Sequence, residues 1–310
     1  MKKILLSSAL LLSGLLLGAC GTTAAKNDDT LQVVATFYPM YEFTKAVVGE
    51  EGDVQLLIPA GTEAHDYEPS AKDVAQISEA DALVYNSAEL ETWVDRLAQN
   101  INAEQTTLIE ATAEIELMEA GAEEGHEHEE HEGEHPHEHD PHVWVDPVLA
   151  MQEVATIRDA LSEKYPDKKE VFEKNAAAYL QELHTLDQEF QTAFKDAKNK
   201  TFVTQHAAFA YLAQQYGLTQ QSIAGISPDE EPSPSRLAEL KHFVDEHDVK
   251  VIYFEENASS KVAETLAEET GVTLAVLNPL ESLTKKQLDA GESYLTVMRE
   301  NLAALKTSIQ

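Results

Sequence analysis

The chain has 310 residues, with 22 Lys and Arg against 56 Asp and Glu, a net charge of -34 and one cysteine. Such an acidic surface repels nucleic-acid phosphates and argues against that class of partner. One cysteine rules out a disulfide within the chain, and the length suffices for two lobes.

Lys2 and Lys3, the uncharged Leu-rich stretch 4–17 and the small residues Gly18, Ala19 and Cys20 read as a secretory leader, 1–19. Its fourteen uncharged, mostly apolar positions fall short of the roughly 20 that span a bilayer. The motif resembles a bacterial lipobox, which implies cleavage before Cys20 and a lipid anchor on its sulfur. Residues 20–30 are small and polar, a tether. Losing Lys2 and Lys3 leaves 20 basic residues against 56 acidic, or -36. That balance suits a secreted chain that stays soluble and concentrates cations.

Beyond the tether the periodicities alternate. Strands are expected at 31–37, 54–58 and 82–85, and helices at 40–48, 71–78 and 89–100. Ser70 and Asp73 have capping-box spacing at the start of the second helix. Alternating strands and helices indicate parallel α/β layering. Asp146 is a natural N-cap, with Pro147 opening a helix that runs to about 164.

A long helical pattern follows at 168–197. Phe172, Ala176, Tyr179, Leu183, Leu186, Phe190 and Phe194 fall along one of its faces. It reads as a strut joining two lobes rather than a coiled coil. The second lobe repeats the alternation, with strands at 201–204, 249–254 and 272–277. Its helices are expected at 207–216, 235–247, 259–270 and 294–309. The predicted fold class is therefore α/β, two lobes each with a small parallel sheet flanked by helices, joined by one long helix. The domain limits are 31–166, with a His- and acid-rich loop at 119–140, then 167–198 for the helix and 199–310.

The chemistry concentrates first in that loop. His126, His128, His131, His135, His137 and His139 alternate with glutamates in a stretch that cannot pack a core. Imidazole is the commonest protein ligand for zinc and its transition-series neighbours, so the tract is expected to contact metal. It is either a low-affinity collector or a spacer. Ligands of open parallel sheets gather beyond the carboxyl ends of strands. Four further candidates stand at such places: His65 and His142 in the first lobe, His206 and Glu281 in the second. His184, His242 and His247 read as surface residues. Glu255, Glu256 or a water are the alternatives to Glu281.

The lipobox, PAGTEAHDYEP at 59–69, DPHVWVDP at 140–147, TQHAAF at 204–209 and NPLES at 278–282 carry a resemblance along the whole chain. It is similar to the metal-binding, adhesin-type lipoproteins of bacterial ABC importers, whose lobes are joined by a rigid helix. The resemblance implies His65, His142, His206 and Glu281 as ligands of one ion between the lobes. It matches the family's His- and acid-rich insertion with residues 123–139. It also implies delivery to an ABC transporter permease and its ATPase, without catalysis. Some zinc members carry a further C-terminal metal-binding domain, which is expected to be missing from a chain ending at Gln310.

Three imidazoles and one carboxylate suit Zn2+. Manganese prefers more oxygen, and the manganese-type relatives resemble a set with Glu at the position of His206. The expected function is an extracytoplasmic, lipid-anchored, monomeric zinc-binding protein. A manganese-binding member is the alternative within the family. A surface adhesin and a zinc-dependent hydrolytic enzyme are the alternatives outside it. No nucleophile elbow, HExxH helix or phosphate loop supports the enzyme.

Overall fold

The structure, a computed structural model, describes residues 30–120, 138–228 and 232–310. The leader and Cys20 lie outside the described residues. From Leu31 onward the first lobe contains β1 (Leu31–Ala35), α1 (Tyr38–Val48), β2 (Gly52–Leu56) and α2 (Ala71–Glu79). It continues with β3 (Ala82–Tyr85), α3 (Val94–Ala98), β4 (Thr107–Glu110) and α4 (Pro147–Lys164). The long α5 (Lys169–Phe194) leads to the second lobe, opened by β5 (Thr201–Thr204), α6 (Ala210–Tyr216), β6 (Thr219–Ser222) and α7 (Pro234–Glu246). β7 (Val251–Phe254), α8 (Lys261–Thr270), β8 (Thr273–Val276), α9 (Lys285–Ala290) and α10 (Tyr294–Leu305) complete it.

Both sheets are parallel and share one topology, β2-β1-β3-β4 and β6-β5-β7-β8. The central strands β1, β3, β5 and β7 are almost wholly buried because helices cover both faces. The edge strands β2, β4 and β8 are less buried, and the edge strand β6 is wholly polar in sequence, TQQS. This is why β6 escapes a hydrophobic-periodicity reading, and β4, with only Ile109 buried, escapes it too. α9 is also missed, since none of its residues is buried. The helix expected at 89–100 shrinks to α3. Upstream of it, Glu91 turns its carboxylate back to accept from the backbone N–H of Asn86 and Ser87, a local bond that competes with helix.

Caps place the other helices as expected. The Ser70–Asp73 capping box is formed, and the Asp146 side chain accepts from Val148 N–H at 2.9 Å ahead of Pro147. Gly217, in the left-handed region at φ 63°, ends α6 where a side chain would be strained.

α5 has 26 residues and extends about 39 Å. Phe172, Ala176, Leu183, Leu186, Phe190 and Phe194 are buried along one face, and Tyr179 is half-buried. That face packs on α1 and α4 of the first lobe and on α6 and α10 of the second, within one continuous core. Phe190 stacks on Tyr216, ring centroids 5.2 Å apart, and Tyr216 donates to Asp187 on α5. The connecting helix is therefore part of both lobes' cores.

One buried group runs against the stability of this core. Glu153 on α4 is fully buried, and neither carboxylate oxygen has a hydrogen-bond partner among the described residues. Burial, then the nearby carboxyls of Glu91 and Asp146, push it well above the usual carboxylate range. Burial likewise raises Glu91 and Asp146 to about 7. The folded state thus keeps protons that the unfolded chain sheds above about pH 4. For these groups, stability is fullest on the acid side and is lost as pH rises toward and past 7. Glu153→Met should raise the unfolding free energy by about 1–3 kcal/mol at pH 8 and by less at pH 5, read from denaturant melts. An equal gain at both pH values would contradict the assignment.

Candidate metal centre

Four loops converge in the crevice between the sheets. The first leaves β2, anchored by Ile58 N–H on Thr36 O at 2.8 Å, and turns at Gly61. Gly61 sits at φ 74°, and its N–H donates across the crevice to Ser282 Oγ at 2.7 Å. The loop then presents His65, whose N–H donates to Glu63 Oε1.

The second loop begins where the His-rich insertion closes. Glu119 and His139 form an antiparallel bridge, with Asp140 N–H on Met118 O at 2.8 Å. Tyr211 of α6 seals this neck: Met118 N–H donates to its hydroxyl, which donates to Asp140 O, each at 2.7 Å. Two residues on, His142 is followed by a single 3-10 turn at Val143–Val145 and then α4.

The third loop follows β5 directly. Its turn is held by Thr204 Oγ1 and Gln220 Nε2, both donating to His206 O. The fourth follows β8. Asn301 of α10 brackets Asn278, accepting from its N–H at 2.9 Å and donating to its carbonyl at 2.7 Å. Trp144, entirely buried, donates Nε1–H to Pro279 O at 2.7 Å, and Tyr294 donates to Trp144 O at 2.6 Å. The loops carrying His142 and Glu281 are thereby fastened to each other.

His65, His142, His206 and Glu281 come together with one potential ligand atom each, all within 4.8 Å of one another. Nε2 of His142 lies 3.2 Å from Nε2 of His65 and 3.4 Å from that of His206. Glu281 Oε1 is 3.0 Å from His206 Nε2, 3.2 Å from His142 Nε2 and 3.5 Å from His65 Nε2. All four side chains are at most 5% exposed. Ligands held tetrahedrally at 2.0–2.1 Å stand about 3.3–3.4 Å apart, so these edges fit an ion of zinc's size and geometry.

The opposite ring nitrogens of His142 and His206 are also fixed. His142 Nδ1 lies 2.7 Å from Asp140 Oδ1, and His206 Nδ1 lies 2.5 Å from Glu255 Oε1. A carboxylate on Nδ1 sets the tautomer that leaves the Nε2 lone pair for a metal. Glu255 thus stands behind His206, while the exposed Glu256 meets Gln287. Of the acidic alternatives weighed from the sequence, only Glu281 reaches the other three. Asp140 was not singled out from the sequence, although an acid two residues before a candidate histidine was a readable signal.

The electrostatics are those of a cation site. Burial, with the neighbouring His142 and His206 rings, lowers His65 against the opposing pull of Glu281. Burial also opposes charge on His142 and His206, but Asp140 raises the first, and Glu255 with Glu281 raises the second well above its ordinary value. Glu281 is held well below the carboxylate range, burial notwithstanding, by His206 and His65. Burial and the neighbouring Glu281 push Glu63 up to about 8.

Of the His-rich tract, only His139 is described; it is 40% exposed, 3.1 Å from Glu89 and outside the buried group. His126, His128, His131, His135 and His137 lie outside the described residues. His184, His242 and His247 are exposed, as expected.

Comparison with known proteins agrees with this geometry. Residues 33–308 match the family described as zinc-uptake complex component A, periplasmic. The chain is 53% identical over 306 residues to the zinc-binding lipoprotein AdcA of Streptococcus pneumoniae, covering 99% of this chain but only 61% of that protein. It is 50% identical over 300 residues to the high-affinity zinc uptake system protein ZnuA of Bacillus subtilis, covering 95% of this chain and 94% of that one. The crystal structure of the Zn(II)-bound ZnuA-like domain of Streptococcus pneumoniae AdcA superposes with a TM-score of 0.78 at 51% identity, covering 90% of this chain and 98% of the domain. The chain belongs to the family of zinc-uptake complex component A.

Proposed function

We propose that this chain captures one zinc ion between its lobes and delivers it to the permease and ATPase of an ABC importer. The ion is cargo, held by Nε2 of His65, His142 and His206 and a carboxylate oxygen of Glu281. The observation that carries this reading is the convergence of those four atoms in a buried crevice, all within 4.8 Å of one another and five of the six pairs at 3.0–3.5 Å. Three nitrogens favour zinc, whereas manganese calls for more oxygen. Membership of an uptake family supports a carrier over an enzyme.

The same reading places the mature chain outside the cytoplasm as a monomer tethered through lipid on Cys20. It divides it into lobes at 31–166 and 199–310 about the helical segment 167–198. The zinc that relatives of this family are named for supports the choice of cargo. The histidines of the insertion act as a collector that raises the local zinc concentration beside the tight site.

Three experiments test this, with binding read on soluble mature protein and uptake read in cells that carry the importer. Competitive metal titration should find one tight zinc site, and His206→Glu should weaken it sharply and shift preference toward manganese. Asp140→Asn, which keeps the shape but removes the charge behind His142, should cost roughly 10–100-fold in zinc affinity with little change in fold. Removing residues 123–137, so that the Glu119–His139 bridge survives, should leave the tight site and slow uptake at scarce zinc. Loss of the tight site on that deletion would refute the collector.

A further inference from the structure

Two non-glycine residues among those described have positive φ, Asp248 at 52° and Leu280 at 66°. Asp248 is exposed, and aspartate tolerates the left-handed region. Leucine does not, because its Cβ crowds the following carbonyl. Leu280 is nonetheless fully buried and immediately precedes Glu281. Such outliers persist only where the surroundings over-determine them.

The surroundings here are specific. Leu280 N–H donates to Asn278 Oδ1 at 2.7 Å, and Asn278 is itself bracketed by Asn301. Pro279 has a fixed φ, and its carbonyl accepts from Trp144. On the far side, Ser282 O accepts from Asn257 Nδ2 at 2.8 Å, and Ser282 Oγ accepts from Gly61 N–H. Both flanks of the segment are pinned, so the misfit is concentrated at the residue between them. Rotating Leu280 back to negative φ would redirect the peptide that carries Glu281, and with it the carboxylate.

We propose that Leu280 is a positioning residue that holds Glu281 on the ion under backbone strain, and that its relaxation withdraws the carboxylate when the ion leaves. The inference rests on the zinc-carrier reading and assigns to one residue the step that loosens the fourth ligand. Strain present only in the loaded state weakens binding and speeds release. The device trades affinity for exchange.

The test compares Leu280→Gly with Leu280→Ala, which lose nearly the same packing but differ in their tolerance of positive φ. By competition titration and chelator-capture stopped flow, the glycine variant should bind zinc roughly three- to tenfold tighter than the alanine variant and release it more slowly. Equal affinities and release rates would overturn the inference while leaving the carrier reading intact. A wild-type chain that holds no zinc in the crevice would overturn the reading beneath it. In isotope-labelled wild type, which involves no substitution, the Leu280 HN–Hα coupling and Cα shift should report left-handed backbone with zinc and extended backbone without it. A left-handed Leu280 in both states would also overturn the inference.

Discussion

A single carboxylate oxygen, Oε1 of Glu281, lies within 3.5 Å of an imidazole nitrogen from each of three histidines. Nitrogen lone pairs and a carboxylate gathered out of water are costly unless a positive charge sits among them. The neighbouring structure answers that constraint. Asp140 and Glu255 orient two rings from behind, and burial removes the water that would compete for the same nitrogens. The anion of Glu281 comes from one lobe and two of the rings from the other. A cation held there would be shared by both halves.

The parallel topology explains why this convergence is possible. Each sheet has the order of a doubly wound fold, with a switch point between its first and third strands. In the second lobe, His206 and Glu255 follow the two strands flanking that point, β5 and β7. In the first lobe the equivalent place is occupied by Glu91, which accepts from Thr36 Oγ1 and from the Asn86 and Ser87 N–H groups. The first lobe's imidazoles instead come from the loops after β2 and β4. The two halves share a plan without presenting their ligands symmetrically. α5 keeps the crevice edges in register because its apolar face belongs to both cores.

Much of this was legible in the sequence. Apolar runs fixed by burial on both faces gave the central strands, and the Ser70 and Asp146 caps gave helix starts because capping is local chemistry. The polar edge strand β6 and the exposed α9 gave no apolar signal to read. The four converging side chains were recoverable because each lies in a loop beyond a strand end. What could not be read was which acid serves which role. Glu255 and Glu256 are neighbours whose side chains meet His206 and Gln287, while Asn301 and Trp144, from distant parts of the chain, fasten the loop of Glu281. The positive φ of Leu280 was equally hidden, since nothing about a leucine announces it.

The bond from Trp144 Nε1 to Pro279 O links the third residue of a ligand loop's HVW run to the loop that carries Glu281. The same indole sits edge-on to Phe37 at 4.7 Å and lies 5.1 Å from the His142 ring. The chain's other tryptophan, Trp93, packs near Tyr67 in a separate apolar cluster of the first lobe. Nature has thus placed a fluorophore at the seam, where any parting of the two loops breaks its hydrogen bond and alters its quenching by imidazole. Were the crevice to open, the protein's own ultraviolet emission would follow it, with no label attached.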